Sequence, residues 1–307
     1  MTRYRLAEGE GLERYSVLKE FGEEGASDYL VFVIPFSADG MLNTVRTGAV
    51  VTLATDRATG FSDADVAAIA DIMPAFGAVV RVGMNLVAIR TALDTYLGRD
   101  VGQRILQGEI RRGSVETISA AIVFGDLRGF TALSDAMAQE QLVTMLDDYL
   151  ECLVAPIEAR GGQVLKFLGD GLLATFALGE AEAGLLCGEA LAAALDALRR
   201  IEKLNEKRAG AGLPVRTMDI ALHLGDVLYG NVGSGRRLDF TVIGPAVNEA
   251  SRLEALCAPL GVPLIASRRF VEALSDPALC RSLGERQLRG VRNPVEVFTL
   301  EMLPLEA

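Results

Sequence analysis

The stretch from Val164 to Phe176 constrains this chain most. Two apolar runs flank Gly169-Asp170-Gly171, and glycines on both sides of an aspartate read as a tight hairpin turn because they accept positive φ without steric cost. The turn lifts one carboxylate to the tip of a buried hairpin. Lys166 sits four residues earlier, in a run otherwise built of Val, Leu and Phe. A lysine is costly to bury unpaired, so Lys166 either points out of the sheet or meets a fixed acceptor.

The rest of the composition narrows the chemistry. The chain has 307 residues, 50% of them apolar, enough for two domains with real cores. No uninterrupted apolar run approaches the ~20 residues of a bilayer crossing, and Met1 to Tyr4 lead into charged sequence with no secretion signal. A soluble, cytoplasmic protein without a transmembrane segment is therefore expected. Cys152, Cys187, Cys257 and Cys280 lie far apart with no Cys-x-x-Cys pair, as buried reduced thiols would. His223 is the one histidine, which excludes chemistry built on a histidine pair, and its place between Leu222 and Leu224 favours packing or a hydrogen bond over catalysis. A net charge of -11 argues against nucleic acid as a partner. A polyanionic substrate would have to be met locally, by metal ions and a few basic side chains.

Along the chain, Asp28 to Phe36 and Gly48 to Asp56 read as strands, with turn chemistry at Ser37 to Gly40 between them. Ser62 caps a helix, with Asp65 in the capping-box position. Helix-favouring sequence then runs to Gly98, with Pro74 the expected kink or break. Ile69, Phe76, Val79, Val80, Leu86, Val87, Leu93 and Leu97 recur at helical spacing, so a greasy face must pack on the N-terminal strands or on the same helix of a second chain. Two strands and a long helix resemble, in shortened form, the sensory GAF domains, a resemblance that names no ligand. A short amphipathic helix ends at Arg111-Arg112-Gly113. The expected division is a small regulatory segment over 1–73, a helical linker or transducer over 74–113, and a catalytic domain over 114–307.

In that last part strands and helices are interleaved, which predicts an α/β, sandwich-like domain with one sheet under several helices. Glu116 to Phe124 is a buried strand, Met218 to Leu224 another, and Gly225-Asp226 reads as a turn. Gln139 to Arg160, roughly Glu180 to Arg208, and Ala246 to Cys257 read as helices, and two final strands run to about Leu288 and Met302. Asp126 follows the first strand directly, and Asp170 tips a hairpin that could lie beside it. Two carboxylates at neighbouring strand ends are hard oxygen ligands suited to magnesium or manganese, with the carbonyl of Leu127 a further donor. Alternatively, Asp126 is a strand-end cap and Asp170 an ordinary turn residue. Asn248 and Arg252 are four apart and share a helix face, where amide and guanidinium form a donor cluster for phosphate and ribose oxygens. A solvated helix face is the plainer reading.

Three motifs in order, Phe124 to Thr131, Lys166 to Asp170 and Asp239 to Arg252, resemble the catalytic domain of the class III nucleotide cyclases. The resemblance covers about Thr117 to Leu300. It implies that Asp126 and Asp170 hold two metal ions per site, Mg2+ or Mn2+, that Lys166 and Thr241 read the purine, that Asn248 positions the ribose, and that Arg252 stabilises the transition state. It also implies a head-to-tail homodimer, with the metal aspartates from one chain and the other four residues from its partner. An ammonium at Lys166 meets only acceptors, such as adenine N1, whereas guanine presents N1–H and N2–H donors. ATP is thus the expected substrate and cyclic AMP the product. A guanylate cyclase, or a nucleotide-binding regulatory module without turnover, are the rival readings. Gly230 to Arg237 has phosphate-loop glycines but Arg-Arg in place of Lys-Ser/Thr, and is read as an arm towards the partner. Where some relatives carry a lysine in the last strand this chain has Glu296, with Arg289 a candidate substitute.

Overall fold

The computed structural model describes residues 1–36, 48–130, 133, 137–178, 182–290 and 294–300. The turn expected at Ser37 to Gly40, and the positions Thr131, Glu180 and Met302, lie outside the described residues. The chain divides into two compact units, Met1–Ala92 and Leu93–Ala307.

In the first unit, β1 (Thr2–Tyr4), α1 (Ser16–Glu23), β2 (Asp28–Pro35) and β3 (Gly48–Thr55) come in order, and the strands form an antiparallel sheet β1-β2-β3. Asp28 is buried but satisfied, accepting from the Arg3 guanidinium and from the Phe61 and Tyr29 amides. α2 (Asp63–Leu97) opens on the expected capping box: Ser62 Oγ accepts from the Asp65 amide at 3.1 Å, and Asp65 Oδ2 from the Ser62 amide at 2.9 Å. It runs on through Pro74 without the break the sequence suggested. Ile72, Val79, Val82, Leu86 and Val87 are each more than half exposed on it. By length and composition alone, α2 is long and apolar enough to cross a membrane, with a mean hydropathy of 1.7 over 18 residues. That differs from the sequence expectation, which counted only uninterrupted apolar runs and so stopped at Arg81 and Asn85.

The second unit begins with α3 (Arg99–Leu106) and β4 (Val115–Leu127). It continues through α4 (Gln139–Ala159), β5 (Gln163–Leu168), β6 (Gly171–Ala177), α5 (Ala183–Gly210), β7 (Met218–Gly233), β8 (Leu238–Ile243), α6 (Pro245–Glu254), α7 (Cys257–Leu260), β9 (Leu264–Ser267) and α8 (Arg268–Ala273), and closes with β10 (Cys280–Arg286) and β11 (Val295–Leu300). The sheet order is β10-β11-β9-β7-β4-β6-β5, with β8 paired to β7. All pairs are antiparallel except β7 with β9.

Period-two alternation divides the central strands between two cores. Ala121 and Val123 join Tyr149, Leu153 and Ile157 of α4, the alanine face of α5 and Phe270 of α8. Ala120 and Ile122 turn to the other side, where Val101 of α3 and Ala246 and Ala250 of α6 meet Tyr229, Phe240 and Val242. Burial on both faces explains why this strand reads as a continuous apolar run. The α/β sandwich expected from the sequence is the fold observed. One local expectation fails: Gly225-Asp226 is no turn, because β7 runs straight through it, opposite Ala120 and Ser119 of β4. A Cβ at Gly225 would collide with that of Ala246 and lie 3.1 Å from His223 Nε2, so this glycine admits α6 rather than reversing the chain.

Candidate active site

The hairpin predicted from the sequence is present but only half buried: β5 and β6 pair around Gly169 and Asp170 and Gly169 takes φ +75°, yet β6 is buried while Lys166, Phe167 and Leu168 of β5, at the edge of the sheet, are exposed. β6 lies against β4 in a register that sets Gly171 opposite Asp126. A Cβ on Gly171 would collide with the Gly125 carbonyl and stand 2.8 Å from Asp126 Oδ1. Glycine at that position lets the tip close on β4, and Asp170 comes within electrostatic reach of Asp126. Burial, then the Asp170 charge, then that of Asp219 across on β7, push the Asp126 carboxyl up to about 6. Glu254, at the end of α6, is pushed up to about 7 by burial and then by Asp126, Asp219 and Asp170.

Sequence reasoning named Asp126 and Asp170 and missed Asp219, Glu254 and Arg128. Arg128 stood inside the first quoted motif, and its charge beside a metal-type aspartate was the available signal. Neither Asp219 nor Glu254 has a local signature, since each is brought in by sheet register or helix packing. The carboxylate pair suits a divalent cation: hard oxygen donors in mutual repulsion, which a cation relieves. Among the described residues no group of three or more His, Cys, Asp or Glu is gathered to hold a metal by itself. A cation here would complete its shell from phosphate oxygens, water or a carbonyl such as that of Leu127, which is buried at the end of β4.

The two readings of Lys166 are both partly met. It is exposed, past a bulge between Val164 and Lys166, and it has a fixed acceptor, the Asp239 carboxylate on β8. Asp239 lies two residues before Thr241, so both occupy one face of β8, and the lysine is tied to the strand of its expected co-reader. Asn248 is exposed on α6 and Arg252 half-buried, its Nη2 3.5 Å from the Cβ position of Gly290. Among the described residues, no hydrogen bond or ion pair joins Asn248 or Arg252 to the carboxylate pair.

Other expectations resolve plainly. His223 is buried, its Nδ1 2.9 Å from Ser267 Oγ and its Nε2 3.5 Å from Glu249, and burial followed by the Arg269 charge lowers it to about 4. It is neutral at physiological pH and structural. All four cysteines are free thiols, but only Cys187 and Cys257 are fully buried, Cys152 and Cys280 being partly exposed. Glu296 pairs with Arg268 and accepts from Ser282, whereas Arg289 is exposed in the turn after β10.

A family model described as "Adenylate and Guanylate cyclase catalytic domain" matches residues 114–302. The chain belongs to this cyclase family. An adenylate cyclase of Anabaena cylindrica is 36% identical over 172 residues, which is 55% of this chain and 33% of that protein. The chain thus spans about a third of that curated relative. Among solved structures, a bacterial light-regulated adenylyl cyclase superposes with a TM-score of 0.63 at 26% identity, over 75% of this chain and 64% of the other. A guanylyl cyclase superposes with a TM-score of 0.53 at 28% identity, over 61% of this chain and 93% of the other. The cyclase domain lies within the second unit, and the motif residues quoted from the sequence all fall inside the matched span.

Proposed function

We propose that this cyclase-family chain is an adenylate cyclase that converts ATP to 3′,5′-cyclic AMP and pyrophosphate at sites shared between two copies of the chain. One observation carries the reading. The hairpin sets Asp170 against Asp126, the carboxylate pair that one site needs, and it also presents Lys166, held by Asp239 on the strand of Thr241, as the purine-reading edge that each chain would offer to its partner's carboxylates.

Asp126 and Asp170, with the Leu127 carbonyl, would hold two divalent cations. When bound, these supply the Lewis acidity that lowers the pKa of the ribose 3′-hydroxyl and the charge that offsets the triphosphate. The side chains do the rest. Lys166 donates to adenine N1 while keeping Asp239 as its anchor, since an ammonium has three protons to share. Thr241, which both donates and accepts, takes the exocyclic edge. Asn248 orients the ribose so that the 3′ oxygen lies in line with the α-phosphorus, and Arg252 faces the charge that grows on the α-phosphate. Asp126 and Asp170 come from one protomer and the other four residues from its partner.

The test is turnover by purified protein with Mg2+ or Mn2+, supplying ATP and GTP separately and measuring cyclic nucleotide and pyrophosphate. Cyclic AMP in excess over cyclic GMP supports the proposal. Preferential GTP turnover favours the guanylate cyclase reading, to which the guanylyl cyclase neighbour lends weight, and nucleotide binding without pyrophosphate release favours a silent regulatory module.

A further inference from the structure

Arg128 stands two residues beyond Asp126, just past the end of β4. Its guanidinium forks onto a single carboxylate: Nε donates to Asp219 Oδ2 at 2.9 Å and Nη2 to Asp219 Oδ1. Nη2 also donates to the Val262 carbonyl at 3.2 Å. The Arg128 amide donates to the Thr217 carbonyl at 2.9 Å, which continues the β4–β7 pairing by one more step, to the residue before β7. Asp219 is only 3% exposed and is the register partner of Asp126 on the adjacent strand. One residue therefore ties together the end of β4, the start of β7 and the segment that leads into β9, where Ile220 pairs with Leu264.

Fold stability alone does not call for this arrangement. An ion pair with one buried partner is often no better for stability than apolar residues of the same volume, and this one, with Asp219 buried and Arg128 partly exposed, adds a carboxylate to a region that already holds Asp126, Asp170 and Glu254. What a fork supplies, and a lysine or a neutral pair does not, is direction: two parallel hydrogen bonds fix the plane of the guanidinium and hence the backbone that carries it. That backbone is Asp126-Leu127-Arg128, the segment whose carboxylate and carbonyl are the expected cation ligands.

We infer that Arg128, oriented by Asp219, is a positioning residue that sets the divalent-cation geometry of the Asp126–Leu127 segment. The inference rests on the cyclase reading, with a divalent cation–nucleotide complex as the ligand. Removing a partner that orients a metal ligand typically weakens metal binding ~10- to 100-fold.

The experiment measures Mn2+ binding by electron paramagnetic resonance in the presence of 3′-deoxy-ATP, which lacks the attacking hydroxyl and cannot cyclise, together with thermal unfolding of each variant. Arg128→Lys keeps the charge and loses the fork, and is expected to weaken Mn2+ binding by about tenfold or more. Should it fold poorly, the neutral double variant Arg128→Gln with Asp219→Asn removes both charges together and is expected to show the same loss of affinity. Wild-type Mn2+ affinity in either folded variant, with only the unfolding temperature changed, would overturn the positioning role. If Asp126→Ala abolishes binding in that case, the cyclase reading survives. Failure of the unsubstituted chain to bind Mn2+ with the nucleotide would overturn both.

Discussion

At Gly171 a single methyl group would push apart the two carboxylates on which the proposed site depends. It would meet the Gly125 carbonyl, which the strand pairing holds in place, and Asp126 Oδ1, the atom the site needs where it is. Gly171→Ala is expected to lower kcat on the order of 10²-fold, the cost of an ångström-scale misplacement, measured as cyclic AMP formation at saturating ATP. Asp126 and Glu254 give a second prediction. Their acids are held above the ordinary carboxylate range in the folded chain, by burial first and then by neighbouring carboxylates, so the folded state binds protons more tightly than the unfolded one. In the metal-free protein these two acids should therefore take away stability as pH rises from about 4 to about 7, outweighing the opposing gain from His223, which is held neutral down to about 4, and saturating Mg2+ with nucleotide should flatten the net slope in thermal unfolding scans. A third concerns Lys166. Asp239→Asn should change unfolding by less than about 1 kcal/mol, since the pair is exposed, yet narrow the ATP-over-GTP preference in kcat/KM because the ammonium loses its anchor. The placement of Asp126 at a strand end and of Asp170 and Lys166 on a hairpin was legible in the sequence because glycines and strand ends mark it locally. Asp239 was quoted there only as part of a motif, because a partner on another strand is set by sheet register.

Among the elements, α3 shows how the start of the second unit packs against the strands and helix proposed to carry the purine and ribose residues. Asp100 accepts from the Tyr229 hydroxyl at 2.7 Å, while the Arg104 guanidinium stands 5.2 Å over the Tyr229 ring and 5.8 Å from that of Phe240. Val101 enters the same core as Ala246 and Ala250 of α6 and Phe240 of β8, the elements that carry Asn248, Arg252 and Thr241. Arg104→Ala removes two ring contacts and the ion pairs to Asp100 and Glu116. A loss of ~1–2 kcal/mol is expected, or several degrees in unfolding temperature for a domain of this size, together with a raised KM for ATP. The sequence located this short helix but ran it on to Arg111-Arg112-Gly113, where α3 ends at Leu106, and it missed the helix's grip, because ring stacking depends on how β7 and β8 pair. It also misplaced a turn at Gly225-Asp226, where local glycine chemistry suggested reversal but the packing of α6 decided the matter. At Pro74 the helix continues despite the missing amide, since the turns on both sides keep their own hydrogen bonds.

Over the whole molecule, the fold of the second unit was largely legible, because buried strands and amphipathic helices alternate at readable spacing. The first unit was legible as strands and a long helix, but the role of the broadly exposed apolar surface of α2 was not. Length and composition suit a bilayer, yet Arg81 lies in the middle of its most apolar region and is costly at bilayer depth. In the proposed cyclase neither copy of the chain has a complete site. Mixing two variants that are each inactive alone, Asp170→Ala and Arg252→Ala, and measuring cyclic AMP production tests this. If sites are shared between protomers, each mixed dimer has one site with both substitutions and one with neither, so random exchange of subunits should restore about a quarter of the wild-type rate. A mixture as inactive as its components, with subunit exchange demonstrated, would contradict the account.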